Sequence, residues 1–250
     1  MSAGKQLQLR LWLRALTIFE VRLRGKVSRE RNAFIKASAA SYVENGVVAG
    51  WLVTAHEKRL AGILIEHYSS VIPHFGAMVH KQIKSRASLE RKAQTIMTAH
   101  MVEWVQTEGL KKAKTIAATN YDDVLSSIVD GIEAGEGTAT VARAIRSTTG
   151  QTTWRAATIA RTETHNAASF GSIETAREAE KDIGIVLLKE WLPTQDDRTR
   201  PEHMAMANSD AIPLNERFDV GGEMMDRPSD QSASAANVIN CRCAIIYEEG

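Results

Sequence analysis

A chain of 250 residues and 27.5 kDa is long enough to bury one large core or two modest ones. Hydrophobic residues at 44% and charged residues at 24% exclude wholesale disorder and the fibrous classes, and a formal net charge of +1 excludes a surface that is basic all over for nucleic acid. Two cysteines exclude a disulfide scaffold.

The first segment is an amphipathic helix. Leu9, Trp12, Leu13, Leu16 and Phe19 share one helical face, and Arg10 and Arg14 share another. From Met1 to Lys36 nine Lys or Arg (Lys5, Arg10, Arg14, Arg22, Arg24, Lys26, Arg29, Arg31, Lys36) face only Glu20 and Glu30, so a basic arm sits on a neutral chain. Arg10, Arg14, Arg22 and Arg24 are its candidate partner-binding residues, for an anionic protein surface or a partner helix. Charges interrupt the apolar residues, no cleavage pattern follows, and no apolar run approaches the ~20 residues that span a bilayer. The chain therefore reads as soluble and cytosolic, with no membrane partner.

Apolar residues recur from Val43 to Val79, with Pro73 expected to break the helix after Ile72. The stretch KQIKSRASLERKAQTIMTAHMVEWVQTEGLKK is strongly helix-forming, its charges making a solvated face. His56, His67, His74, His80 and His100 show no metal-ligand spacing and read as surface or capping histidines. Gly131, Gly135 and Gly137 then mark a turn between two helices, with Thr138 or Thr140 available to cap the second.

After Gly150 the pattern predicts a long helix through TTWRAATIARTETHNAASFGSIETAREAEKD, ending near Gly184. IGIVLLKEWL and VINCRCAIIYE read as strands, separated by the polar loop PTQDDRTRPEH and a Gly221-Gly222 turn. The expected fold is a mainly α N-terminal part followed by a C-terminal α+β module, built from the long helix, a small sheet and long loops. The expected division is 1–130, a helical arm and helical domain, and 131–250, the α+β module.

On a strand, Cys241 and Cys243 point to one face while Asn240 and Arg242 point to the other. Two sulfurs on one face can grip a soft metal, structural zinc being the cofactor such a set would hold, with His203 as third ligand and His165, Asp197 or Asp230 as the fourth. The competing reading is two ordinary buried cysteines. A redox pair is the weakest of the three, because a bridge between residues i and i+2 of a strand is strained.

In DDRTRPEH, Asp196, Asp197, Glu202 and His203 have the chemistry of acids, bases or metal ligands, and Arg198 and Arg200 that of phosphate binders. A metal-dependent hydrolase or nuclease would carry such a loop. So would a loop pinned by guanidinium–carboxylate pairs, and nothing marks a nucleophile or a spaced acid and base, which favours the structural reading. Arg161 and Glu163 in ARTETHN are expected to tie the long helix to this loop, for instance through Arg198 or Arg200, and Trp191 and Phe218 to anchor core or loop.

Taken in order, IARTETHNAA, KEWLPTQDDRTRPEHMAM, RFDVGGEMMDRPSD and NVINCRC resemble the phage Mu F-like minor head protein family, also called phage head morphogenesis proteins. The likeness runs from about Asp130 to Tyr247, with looser similarity around GILIEHYSSVIPHFG. Its pattern is met by Arg161, Thr162, Glu163, Trp191, Asp197, Arg198, Arg200, His203, Gly221, Pro228, Asn240, Cys241, Arg242 and Cys243. MAMANSDAI departs from it, because the family usually carries a glycine there. The resemblance implies a low-copy head protein of a tailed phage, prophage or gene-transfer particle, with no settled catalytic activity. It implies the portal protein and the major capsid or scaffolding protein as partners, and roles in procapsid assembly, DNA packaging or ejection. The implied location is the host cytoplasm during assembly, then the virion, inside the capsid near the portal. Non-specific contact between the arm and DNA would be weak and salt-sensitive. Some relatives fuse toxin domains after the module; with the chain stopping just past NCRC, no such cargo is expected.

Overall fold

The computed structural model describes residues 2–87 and 97–250. Their elements run α1 (Ala3–Asn45), α2 (Gly50–Ala87), α3 (Ala99–Glu133), α4 (Thr138–Ser147), α5 (Thr152–Ile183), β1 (Leu187–Leu192), α6 (Pro201–Ala205), β2 (Ile212–Pro213), β3 (Phe218–Val220), β4 (Glu223–Met225), α7 (Ala235–Val238) and β5 (Ala244–Glu249). This is the expected class: long helices first, then a helix, a small sheet and loops. The part of the predicted third helix that falls on 88–96 lies outside the described residues.

α1 contains no proline and is rich in strong helix formers. It buries Leu9, Trp12, Leu16 and Phe19 and leaves Arg10, Arg14, Arg22 and Arg24 exposed, as its periodicity predicts. Two expectations about helix boundaries fail. Pro73 does not end α2, which continues to Ala87. An interior proline costs about 3 kcal/mol, but Ile72 and Phe75 beside it have no exposed surface, so burial holds the helix together. α5 also comes very close there: a Cβ on Gly171 would lie 2.8 Å from Ile72 Cα and from its carbonyl oxygen. Nor does a threonine cap α4; its N-cap is Gly137, extended and without a side-chain hydrogen bond.

The described chain divides into two compact units, Met1–Glu20 with Tyr68–Val102 and Arg161–Gly250, and Val21–His67 with Glu103–Ala160. The second is helical around Phe34, Ile35, Leu52, Val124, Val141 and Ile145. Within it lies a polar network that the composition of the basic arm conceals. Arg31 is fully buried. Its guanidinium donates to Asn120 Oδ1 (3.1 Å), the Thr148 carbonyl (3.0 Å), Thr152 Oγ1 (2.5 Å) and Asp123 Oδ2 (2.9 Å). Asn120 Nδ2 lies 3.0 Å from His56 Nε2, and His56 Nδ1 lies 2.8 Å from Glu30 Oε1. With the proton on Nδ1, the ring donates to Glu30 and accepts from Asn120, so every partner is satisfied. His56 also stacks on Phe34, with ring centroids 4.3 Å apart. His67 is buried too, and burial followed by the nearby Lys26 charge lowers its pKa to about 4. These two histidines are interior, not the surface groups expected.

In the first unit, β2, β1 and β5 form an antiparallel sheet with β1 in the centre, Trp191 opposite Ile245 and Leu188 opposite Pro213. β3 and β4 form a hairpin whose two turn residues, Gly221 and Gly222, have φ of 64° and 87°. That conformation suits a primed two-residue turn, and a Cβ on Gly221 would strike Glu202 Cγ at 2.6 Å. β5 begins only at Ala244, so Cys241 and Cys243 are not on a strand. Asn240 adopts φ 59°, which breaks extended backbone just before them.

Arg31→Ala should cost about 3–5 kcal/mol of unfolding free energy, because it strips a buried network of its central donor. Exposed Arg24→Ala should change stability by less than about 0.5 kcal/mol. Urea unfolding followed by circular dichroism measures both.

Candidate functional site

From Thr162 to Ile173 every residue of α5 is buried, including Glu163, Thr164, His165, Asn166, Ser169 and Ser172. A helix buried all round would normally be apolar. Here the polar side chains are pegs for the segments that follow. Arg161 Nη1 donates to Asn240 Oδ1 (2.8 Å), and Thr162 Oγ1 accepts the Asn240 N–H (3.2 Å). Glu163 Oε2 accepts from Tyr68 OH on α2 (2.6 Å). His165 Nε2–H donates to the Cys243 carbonyl (2.6 Å), and burial holds this imidazole below its ordinary pKa, hence neutral. Asn166 accepts twice from buried Arg227, through its carbonyl (3.2 Å) and Oδ1 (2.9 Å). Ser172 Oγ meets Tyr247 OH at 2.8 Å.

The DDRTRPEH loop is pinned from the other side. Arg242 forms a bidentate pair with Asp196, Nη1 to Oδ2 at 2.5 Å and Nη2 to Oδ1 at 2.7 Å. Asp196 also accepts the Arg198 N–H and the Thr199 hydroxyl, each at 3.1 Å. These hydrogen bonds, the Arg242 ones foremost, hold its carboxyl well below the usual range. Thr199 Oγ1 donates to the Thr194 carbonyl, Thr194 Oγ1 to the Arg242 carbonyl (2.7 Å), and Arg200 Nη2 to the Ile239 carbonyl (2.6 Å). The carboxylate of this loop is therefore Asp196 and not Asp197, which is exposed. Asp196 is also the residue that stands two before Arg198, as an Asp-x-Arg-x-Arg pattern requires. Arg198 is an exposed partner of Asp196 at 3.5 Å, and Arg200 grips backbone, so neither was needed to tether α5 through Glu163.

His203, Cys241 and Cys243 are brought together. Their ligand atoms lie within 4.8 Å of one another, and all three side chains are buried. His203 Nδ1 is 3.4 Å from Cys243 Sγ and 3.6 Å from Cys241 Sγ, while Nε2 is 3.3 Å from Asn237 Oδ1. Both thiols are free. The convergence comes from a turn ahead of β5, where the Cys241 N–H donates to the Val238 carbonyl (3.2 Å), not from strand alternation. Burial opposes ionisation of Cys241, but hydrogen bonds from Cys243, the Arg200 charge and the Ser229 N–H outweigh it and lower its pKa. Burial, and then the shared hydrogen bond with Cys241, push Cys243 well up. None of the expected fourth ligands joins this group among the described residues. His165 serves the Cys243 carbonyl, Asp197 faces solvent, and Asp230 accepts the N–H groups of Asp226 (2.8 Å) and Ser232 (3.0 Å).

Around the cluster pack Trp191, Met206, Phe218, Val220, Met225 and Val238. Trp191 has no exposed surface and meets His203 and Phe218 edge-on, at centroid distances of 5.5 and 5.4 Å. It is a core anchor, as its position before the loop implies. MAMANSDAI continues α6 as a 3-10 turn, Met206–Asn208, which carries Met206 back into this core.

Sequence reasoning missed a second ionic centre. Lys189 is fully buried, its ammonium donating to Asp226 Oδ1 (2.7 Å) and to the Asp226 carbonyl (2.8 Å). Arg177 Nη2 reaches the same Oδ1 at 2.8 Å. Burial pushes Lys189 below its ordinary pKa, and Asp226 recovers part of the loss. The signal was strand parity: in LLKEWL, Lys189 shares a face with Leu187 and Trp191, both interior. Nothing in MMDRPSD marks Asp226.

Asp226→Asn should cost roughly 3 kcal/mol by stranding a buried ammonium, and Lys189→Met in the same chain should recover much of it, both read by urea unfolding. Asp196→Asn should cost roughly 1–2 kcal/mol at neutral pH. Because the folded carboxyl titrates below its unfolded value of ~3.9, this contribution is complete above that pH and is lost as pH falls below it. The difference between the two proteins should therefore shrink below about pH 4, which acid-titrated thermal melts would follow.

The family model described as "Phage Mu protein F like protein" matches residues 122–246, half of the chain and all of the site above apart from Tyr68 and Tyr247. A segment of 124 residues is 32% identical to the NAD(+)--arginine ADP-ribosyltransferase EFV of Enterococcus faecalis, covering 50% of this chain and 25% of that protein. A segment of 127 residues is 30% identical to Minor head protein GP7 of Bacillus phage SPP1, covering 50% of this chain and 40% of that one. The chain thus spans less than half the length of either curated relative. No solved structure matches it. A helix that pegs an Asn-Cys-Arg-Cys turn, matched over this whole arrangement by the family model, gives the conclusion that the chain belongs to the phage Mu protein F like family.

Proposed function

We propose that this chain is a minor head protein of a tailed phage or prophage, associating with the portal vertex and acting in procapsid assembly, DNA packaging or ejection. In this reading 131–250 is the Mu F-like module, 1–130 supplies the helical arm, and the protein passes from the host cytoplasm into the capsid interior. The observation that carries it is that the family match falls on a module whose polar groups are engaged in holding its own backbone. Asp196, Arg200, Arg242, Arg161 and His165 all serve this purpose. No described helix is long and apolar enough to cross a membrane.

A hydrolase or nuclease built on DDRTRPEH and the CRC cysteines needs its acid and ligand groups gathered at one open site. Asp197 and Glu202 are exposed but do not join His203, Cys241 and Cys243, which are only 1–2% exposed, and Asp196 is committed to Arg242. The transferase activity in the name of the E. faecalis relative belongs to a protein of which this chain covers a quarter. Both points support a structural and assembly role.

The docking face is the N-terminal half of α1. Leu7, Leu11 and Ile18 are about half exposed, at spacings that place them on one stripe, with Arg14 between. Leu11, Ile18, Trp12, Val79 and Ile245 line a groove of about 550 Å³, and Arg14 and Lys81 line it too. An apolar groove with cationic lining fits an acidic amphipathic helix, and the partner assigned to it is such a segment of the portal protein.

Arg10→Glu with Arg14→Glu should leave the fold and melting temperature unchanged but reduce association with portal about tenfold or more, and raised ionic strength should weaken the unmodified pair in the same direction. Co-sedimentation of purified portal with each protein measures this. No association of the unmodified protein with portal or procapsid in assembly buffer would overturn the assignment.

A further inference from the structure

We propose that His203, Cys241 and Cys243 form a structural site for a single Zn2+ ion, with Asn237 as the positioning residue that holds the imidazole for it. Zinc bound to sulfur at about 2.3 Å and to nitrogen at about 2.0–2.1 Å in a tetrahedron places its nitrogen and sulfur ligands about 3.6 Å apart. The two His203 Nδ1 to sulfur separations are 3.4 and 3.6 Å. Both nitrogen-to-sulfur separations thus match the bound state, and the third, between the sulfurs, lies within 4.8 Å.

The tautomer agrees. Asn237 Oδ1, 3.3 Å from His203 Nε2, can only accept, so Nε2 carries the proton and the Nδ1 lone pair faces the sulfurs. A carbonyl on the far nitrogen is the usual orienting partner of a metal-bound imidazole. Asn237 is itself fixed, because Nδ2 donates to the Val220 carbonyl (3.3 Å). The Ser229 hydroxyl is buried with no hydrogen-bond partner in the described structure. Three protein donors leave one tetrahedral position.

Such a site has a structural consequence. His203 lies on five-residue α6, Asn237 on four-residue α7, and the cysteines on a turn, none of which is stable alone. A metal shared between α6 and the turn fastens segments that lack a backbone ladder, so its binding energy becomes folding energy. The ligands are too buried for the ion to meet a substrate.

The experiment uses the full chain, purified without added metal and then titrated with Zn2+ or Co2+. Elemental analysis should find one zinc per chain. Co2+ should give thiolate-to-metal charge-transfer absorption with the strong visible bands of tetrahedral geometry, and zinc should raise the melting temperature. Asn237→Ala should keep the one-to-one stoichiometry while weakening affinity about 10- to 100-fold. Cys241→Ser with Cys243→Ser should abolish uptake. Absence of both zinc and the cobalt spectrum in unmodified folded protein would overturn the proposal, as would stoichiometric zinc retained by the double serine variant. Should that variant fail to fold, the cobalt titration of the unmodified chain decides alone.

Discussion

The C-terminal half of this protein depends on polar side chains buried along α5. Long irregular segments between β1 and β5 carry backbone groups with no ladder to join, and such groups must be paired if they are to be buried. α5 supplies the partners. Arg161, Thr162, His165 and Asn166 reach Asn240, Cys243 and Arg227, so one rigid helix fixes segments 61 to 79 residues later in the chain. This explains why ARTETHN and NCRC belong to one pattern: they are two halves of one set of hydrogen bonds.

The ionic groups follow the same logic. Where a cation is taken out of water it is paired and hydrogen-bonded, as Lys189 is with Asp226, Arg227 with Asn166, and Arg31 with Asp123 and its neutral partners. Along α1, by contrast, Arg10, Arg14, Arg22 and Arg24 stay exposed. A net charge near zero therefore hides two populations of basic residues, one buried and one at the surface, and sequence position alone does not separate them.

Periodicity made the helices of the first half, the long fifth helix and strands β1 and β5 of the three-stranded sheet legible, because each rests on local pattern and burial of one face. The convergence of His203 with the cysteines was legible from donor chemistry. Reasoning failed where tertiary contact overrides a local rule. Pro73 stays helical because its neighbours are buried against α5, and the NCRC stretch leaves the strand because Asn240 turns left-handed to meet Arg161 and Thr162. The identity of the loop carboxylate, Asp196 rather than Asp197, is set by reach to Arg242, which adjacent identical residues cannot reveal. Asp226, Asn237 and Arg227 gave no signal, since a polar residue in a loop looks the same whether it faces water or closes a buried pair.

The turn that brings Cys241 and Cys243 together also shuts them away, leaving 2% and 1% of their surface accessible. An alkylating reagent can reach either sulfur only when the segment ahead of β5 detaches from α5. The rate at which native protein is labelled is thus a direct readout of that local opening, separable from whole-chain unfolding by its weaker dependence on denaturant. With no other thiol in the sequence, the measurement carries no background.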